Sequence, residues 1–254
     1  ITLATIKYLQ DIGWQDGKIG KALSFDGVDD YVLIPRPVQD DFSIVFWFKS
    51  TQVAGGEAQW WQGMGLVDAE VGGLTNDFGT SFGNGKVLFG TGNPDITIKS
   101  GFLADGKWHH VVATRVKATG GLKLYIDGSL VASGTGGTQS LTSPPRMRIG
   151  SLQTALNYFN GTIDEVHIYN RALTEEEINQ LYYNGLNNKF NISLQLVYPL
   201  GSIANSIGKD FTAIVFLKNG TIIQKDFSLD KELGLNNPIV NYNLTIDGYY
   251  PSYG

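Results

Sequence analysis

The stretch SFDGVDDYV (24–32) places Asp26, Asp29 and Asp30 in one short turn between two apolar runs. Carboxylates at that spacing can do two things. They can supply several of the six to eight oxygens that a hard cation such as calcium requires, with Gly27 freeing the backbone. They can equally cap backbone N–H groups in an ordinary solvated turn. A second group of residues offers different chemistry. Trp60 and Trp61 stand in a glycine-flanked stretch, and Asp68, Glu70, Asn76, Asp77, Asn93 and Asp95 follow on neighbouring segments. Indole rings stack on the apolar face of a sugar while carboxylates and amides take its hydroxyls, so this set is a candidate carbohydrate site. The alternative is that one or both tryptophans pack on the core and the acids solvate loops.

Catalysis makes a minor alternative. Asp68 and Glu70 share a face if residues 66–71 form a strand, with about 6.5 Å between them along the backbone. A retaining glycosidase needs two carboxyls about 5.5 Å apart, so the spacing is compatible. Asp164 and Glu165 are adjacent and point to opposite faces of a strand. The same holds for His109 and His110, and His167 is the one remaining histidine, so three converging zinc ligands are not expected. We predict one of the adjacent pair to be buried and hydrogen-bonded and the other exposed. No nucleophile elbow is present, and the glycine-rich GTGGTQS leads into no helix, which removes a phosphate loop. Four Asn-x-Ser/Thr sequons, at Asn160, Asn191, Asn219 and Asn243, are candidate glycan attachment sites.

The elements that must position these residues read as strands almost throughout. Apolar alternation broken by Gly, Asp and Asn recurs in KALSF, DYVLIP, FSIVFWFKS, KVLFGTG, DITIKS, KWHHVVATRV, LKLYIDGSLV, RMRIGS and IDEVHIYN. Asn-Gly in FGNGKVLFG and Asp-Gly in YIDGSLV mark two-residue hairpin turns. In FSIVFWF, Phe42, Ile44, Phe46 and Phe48 line one face, with Val45 and Trp47 on the other. A strand apolar on both sides is central, or has its outer face covered. One helix is predicted in ALTEEEINQLYYNG, with Thr174 as N-cap, Glu177 completing a capping box and Gly185 as a left-handed stop. LNNKFN (186–191) then reads as a linker. It leads into a smaller β unit with a hairpin in FLKNGTIIQ, around Asn219-Gly220. That unit is short enough to be marginal alone and is expected to be incomplete.

The chain has 254 residues, 42% of them hydrophobic, enough for one large β domain plus a small one. A net charge of −5 weighs against nucleic-acid binding, which needs a basic face. No apolar run approaches the roughly 20 residues of a membrane-spanning helix. Cysteine is absent, which excludes disulfides and thiolate metal sites. The chain begins at Ile1 rather than Met, which points to a processed chain or a piece of a longer one.

GKIGKALSFDGVDDYVLIP, DDFSIVFWFK, DGKWHHVVATR, LKLYIDGSLVASG, RMRIGS and YFNGTIDEVHIYNRALTEEEINQLY occur in the order found in laminin-G-like, concanavalin-A-type jelly-roll domains. The resemblance covers roughly residues 12–185, with a bacterial and archaeal flavour in residues 59–98. It implies a carbohydrate-binding or adhesion module of secreted or surface proteins. It also implies a structural calcium shared between the acidic turn and the aspartate of IDEV, here Asp164. One departure is visible. The usual opening Trp-x-Phe-Asp strand is missing, and ITLATIKYLQ does not replace it, so the sheet should lack a strand or use a substitute. An open edge there invites pairing with another chain.

These readings converge on an all-β protein. Residues 1–186 are a two-sheet antiparallel jelly-roll sandwich with one short C-terminal helix. Residues 187–254 are a small β-rich, partial, Ig-like unit. The expected function is a non-catalytic extracellular recognition module, secreted or at the cell surface. It binds carbohydrate or a cell-surface glycoprotein and carries Ca2+ held by Asp26, Asp29, Asp30 and Asp164. The rival expectation is a structural subunit of a surface filament or layer, completed by strand exchange between copies of itself.

Overall fold

The computed structural model describes residues 13–154 and 156–186, and the strands Lys189–Val197, Asp210–Phe216, Ile222–Ser228 and Ile239–Asp247. Residues 13–169 carry β1 (Gly13–Asp16), β2 (Lys21–Asp26), β3 (Val32–Pro35), β4 (Phe42–Lys49), β5 (Met64–Asp68), β6 (Phe78–Gly83) and β7 (Lys86–Thr91). They continue through β8 (Ile96–Phe102), β9 (His109–Val116), β10 (Gly121–Ile126), β11 (Ser129–Thr135), β12 (Arg146–Ile149) and β13 (Asn160–Tyr169). Two antiparallel sheets result. One has seven strands in the order β1-β2-β13-β4-β9-β10-β11, and the other six in the order β3-β12-β5-β6-β7-β8. The expected jelly-roll sandwich is the observed one.

Period-two alternation fills the space between the sheets. Phe42, Ile44, Phe46 and Phe48 of β4 all point inward and are 0% exposed. They meet Phe78, Phe82, Val87 and Phe89 of β6 and β7, with Met147, Ile149 and Phe159 in the same cluster. Phe42 packs on Phe78 with the rings tilted and their centroids 4.6 Å apart, and Phe48 meets Phe82 edge-on at 5.1 Å. Val45 and Trp47 face outward, and the helix α1 (Glu175–Leu186) covers that face. Ile178 joins Val45, Val112 and Tyr125 there, and Tyr182 stacks on Trp47 at 5.8 Å.

The capping box forms as its sequence predicts. The Thr174 N–H donates to the Glu177 carboxylate at 2.9 Å, and the Glu177 N–H donates to Thr174 Oγ1 at 3.3 Å. Arg171 also binds Glu177, and its guanidinium holds that carboxyl down at about 2. Gly185 does not end the helix in a left-handed conformation. It lies inside α1, where the missing Cβ makes room for the Trp47 indole.

Asn84-Gly85 and Asp127-Gly128 adopt positive φ at the β6–β7 and β10–β11 turns, matching the hairpin reading. The missing first strand has a short substitute. β1 pairs antiparallel with β2 from Gly13 opposite Ser24 to Asp16 opposite Lys21. ITLATIKYLQ lies outside the described residues. No helix among the described residues is long and apolar enough to cross a membrane.

The chain divides between Leu186 and Asn187 into two units. In the second, β14 (Lys189–Val197) pairs antiparallel with β17 (Ile239–Asp247), and β15 (Asp210–Phe216) with β16 (Ile222–Ser228). The turn of the FLKNGTIIQ hairpin, with Asn219, lies outside the described residues.

Candidate functional site on the outer face of the six-stranded sheet

The register of the six-stranded sheet assembles the site. Asp68 pairs with Gly79, Gly79 with Gly90, and Gly90 with Thr97. Cross-strand partners share a face, so these four form one row on the side away from the core. Two of the four have no side chain, and both absences are used. A Cβ on Gly79 would collide with Asp68 Oδ1, and one on Gly90 would collide with the Trp60 ring. The glycines form a floor on which a carboxyl group and an indole lie side by side. Arg148 of β12 pairs with Asp68 on its other flank, and its guanidinium sits 3.8 Å over the Tyr31 ring.

The carboxylates of this face are crowded and nearly dry. Asp68 is 0% exposed, Asp77 3% and Glu70 6%. Asp68 Oδ2 accepts hydrogen bonds from the backbone N–H groups of Glu70 and Gln153, both at 2.9 Å. Its Oδ1, together with Trp60 Nε1 and Gln153 Oε1, finds no hydrogen-bond partner among the described residues. Burial pushes the Asp68 carboxyl well above the usual range. Repulsion from Glu70 and Asp77 adds to this, and the two backbone donors oppose it. Burial, then the Asp77 charge, raises Glu70 to about 7. Burial raises Asp77 to about 6 against the Val71 N–H that donates to it, with Asp95 adding repulsion. All three carboxyls therefore hold protons to higher pH than a free carboxyl does, and a protonated carboxyl can donate as well as accept.

The remaining candidates are less buried. Trp61 follows Trp60 on a short 3-10 turn, Trp60–Gln62, and meets it edge-on with 4.4 Å between ring centroids. Trp61 and Asn76 are half-buried, and Asn93 and Asp95 are exposed. Four residues expected to touch a ligand are thus corrected. Trp60 is 1% exposed, its N–H donates to Thr97 Oγ1 at 3.1 Å, and its carbonyl accepts from Ser81 Oγ. It is a packing residue. Asp68, Glu70 and Asp77 are buried and are not presented to solvent. Arg148 and Gln153 were missed by the sequence reading. The outward position of Arg148 was readable in the alternation of RMRI, whereas Gln153 sits in a loop with no pattern.

The acidic turn is a separate place. Carboxylate oxygens of Asp26, Asp29 and Asp30 lie within 4.8 Å of one another. Two oxygens on one calcium, each at about 2.4 Å, can be no further apart than that, so the spacing is compatible with a hard cation, which would need further oxygens to complete its shell. The same carboxylates also do the work of a turn. The Val28 N–H donates to Asp26 Oδ1 at 2.7 Å, and the Asp26 N–H donates to Asp30 Oδ2 at 2.9 Å. Asp164 is not brought to this group, which corrects the expectation of a shared site. β13 pairs with β2 so that Asn160, not Asp164, stands opposite Asp26. Asp164 lies four residues further along, about 13 Å at the strand rise. There its carboxylate accepts from the N–H groups of Ile19 and Glu165, both at 2.9 Å. Asn160 takes the place beside the turn, its Nδ2 donating to the Asp26 carbonyl at 2.6 Å.

The histidines are structural, with the expected roles altered. His110 is the buried one, and its Nδ1 has no hydrogen-bond partner among the described residues. Burial lowers it to about 4. His109 bridges Asp127 at 2.8 Å and Asp105 at 3.2 Å, and the Asp127 contact raises it.

Two packed antiparallel sheets in this strand order define the lectin-like class of all-β domains. Residues 26–179 match the family model Laminin_G_3, the concanavalin A-like lectin/glucanases superfamily, and the chain belongs to that family. Over 166 residues it is 27% identical to the Sushi, von Willebrand factor type A, EGF and pentraxin domain-containing protein 1 of Rattus norvegicus, covering 61% of this chain and 4% of that protein. Over 104 residues it is 38% identical to the adhesion G-protein coupled receptor D1 of Homo sapiens, covering 39% of this chain and 12% of the receptor. The chain thus spans only a small part of these curated relatives. Domain 4 of AbnA, a GH43 extracellular arabinanase from Geobacillus stearothermophilus solved in complex with arabinotriose, shares the fold. It is 23% identical with a TM-score of 0.54, over 68% of this chain and 82% of that domain.

Proposed function

We propose that this chain is a non-catalytic carbohydrate-recognition module of an extracellular protein, with its ligand on the rim formed by Trp61, Asn76, Asn93 and Asp95. The observation that carries the reading is the half-exposed Trp61 indole, held edge-on by the buried Trp60. A ring fixed by its neighbour loses little entropy when a sugar stacks on it. The half-buried Asn76 and the exposed Asn93 and Asp95 would supply partners for hydroxyl groups. Two relatives support the reading by their names, one an adhesion receptor and one an arabinanase domain crystallised with arabinotriose. The partner is then an oligosaccharide or the glycan of a cell-surface glycoprotein. Glycosidase chemistry fits poorly, because Asp68 and Glu70 are too buried for a glycosidic bond to enter between them.

The proposal includes calcium at Asp26, Asp29 and Asp30. When bound, the ion would neutralise the turn and brace the junction of β2 with Asn160 of β13. A glycan array probed with the full chain tests the main reading. Binding to a defined glycan class, lost in Trp61→Ala, is the expected result. No binding to any glycan, or equal binding by the variant, would overturn it.

A further inference from the structure

The four sequons are not equivalent, and the fold separates them. In β14 and β17, Asn191 pairs with Thr245, and Ser193 pairs with Asn243. Each sequon's asparagine therefore stands opposite the other sequon's hydroxyl residue. The two asparagines are diagonal neighbours, about 7–8 Å apart. The two rows of the ribbon differ in residue type. Lys189, Gln195, Asn241 and Asp247 share the register row of the sequons, which closes on the apolar pair Val197 and Ile239, while Phe190, Ile192, Leu194, Leu196, Val240, Tyr242, Leu244 and Ile246 all fall on the alternate row. Such alternation marks the apolar row as the one a β unit covers and the sequon row as the polar one. A glycan has to leave the protein into solvent, and both asparagines stand on the polar row.

Asn160 is placed otherwise. Its Nδ2 already donates to the Asp26 carbonyl, and its side chain packs against Gly27. The hydroxyl residue of its sequon, Thr162, is only 3% exposed. Asn219 lies outside the described residues.

We propose that Asn191 and Asn243 form a paired N-glycan attachment site, and that Asn160 is kept unmodified as the clasp of the acidic turn. The donor is a lipid-phosphate-linked oligosaccharide acted on by an oligosaccharyltransferase. The asparagine Nδ2 bonds to the anomeric carbon of the sugar, and the bond from that carbon to the phosphate oxygen breaks. The electron pair leaves on the lipid phosphate, and the displaced amide proton passes to a base of the transferase.

The test is secretion of the full chain from a eukaryotic host, followed by peptide mapping after enzymatic deglycosylation, which converts each occupied asparagine to aspartate. The expected result is conversion at Asn191 and Asn243 and none at Asn160. Ser193→Ala and Thr245→Ala should each remove one glycan and together both, read as stepwise loss of apparent mass. An unmodified Asn191 or Asn243, or an occupied Asn160, overturns the proposal. Mapping of the unsubstituted chain gives this answer even if a variant fails to fold.

Discussion

Replacing Glu70 by Gln should stabilise the jelly-roll unit at high pH and hardly affect it at low pH. Glu70 is pushed from an ordinary 4.5 to about 7 in the folded chain, by burial and then by Asp77. Between those values the folded state holds a proton that the unfolded state releases. The cost of ionising Glu70 is therefore absent below about 4.5 and grows as pH rises to about 7. At 1.36 kcal/mol per unit, the full cost is roughly 3 kcal/mol. The advantage of Glu70→Gln over the parent should widen by about 2.5 kcal/mol between pH 5 and pH 8. For a chain of this size that is about 5–10 °C in melting temperature. Thermal or urea unfolding of both proteins at the two pH values measures it. A Glu70→Gln advantage that is the same at pH 5 and pH 8 would refute the buried-acid reasoning, because a packing effect alone does not follow pH. The parent should itself lose stability over this range, since Asp77, raised to about 6 chiefly by burial, acts with the same sign.

Two further outcomes follow from particular contacts. Arg115 is 0% exposed and its guanidinium donates to the carbonyls of Asp40, Gly137 and Gln139 at 2.6, 2.9 and 2.7 Å. Arg115→Met should cost about 3–5 kcal/mol by stranding those carbonyls, and a loss below about 1 kcal/mol in chemical denaturation would contradict this. If calcium occupies the acidic turn, EDTA should lower the melting temperature of the parent by several degrees. The chelator should then have no effect on Asp30→Asn, and an equal melting temperature with and without it in the parent would remove the metal.

Much of the fold was legible because alternation alone decides it. The phenylalanines of β4 announced one core face, and Val45 with Trp47 announced that something covers the other. The capping box at Thr174 and Glu177 named the covering helix. The site was legible only in part. The residue types and their shared strand face were readable, but burial was not. Trp60 is swallowed because Gly90, thirty residues away, supplies a slot for its ring. No local pattern around Trp60 carries that information. Asp164 misses the acidic turn for a similar reason. The register of β13 on β2 sets its distance, and a register offset of four residues is invisible in two separate motifs. Gly185 misled because a glycine near a helix end serves equally as a stop or as a gap for a neighbouring ring.

The most direct test of the recognition site is an NMR titration of the full chain with oligosaccharides that score on the glycan array, following the tryptophan indole and asparagine amide signals. The site described here predicts that the Trp61 indole and the Asn76 and Asn93 amides shift together with one affinity, while the Trp47 indole beneath α1 stays still. Binding that leaves Trp61 unmoved and shifts signals elsewhere on the domain would contradict the assignment of the rim.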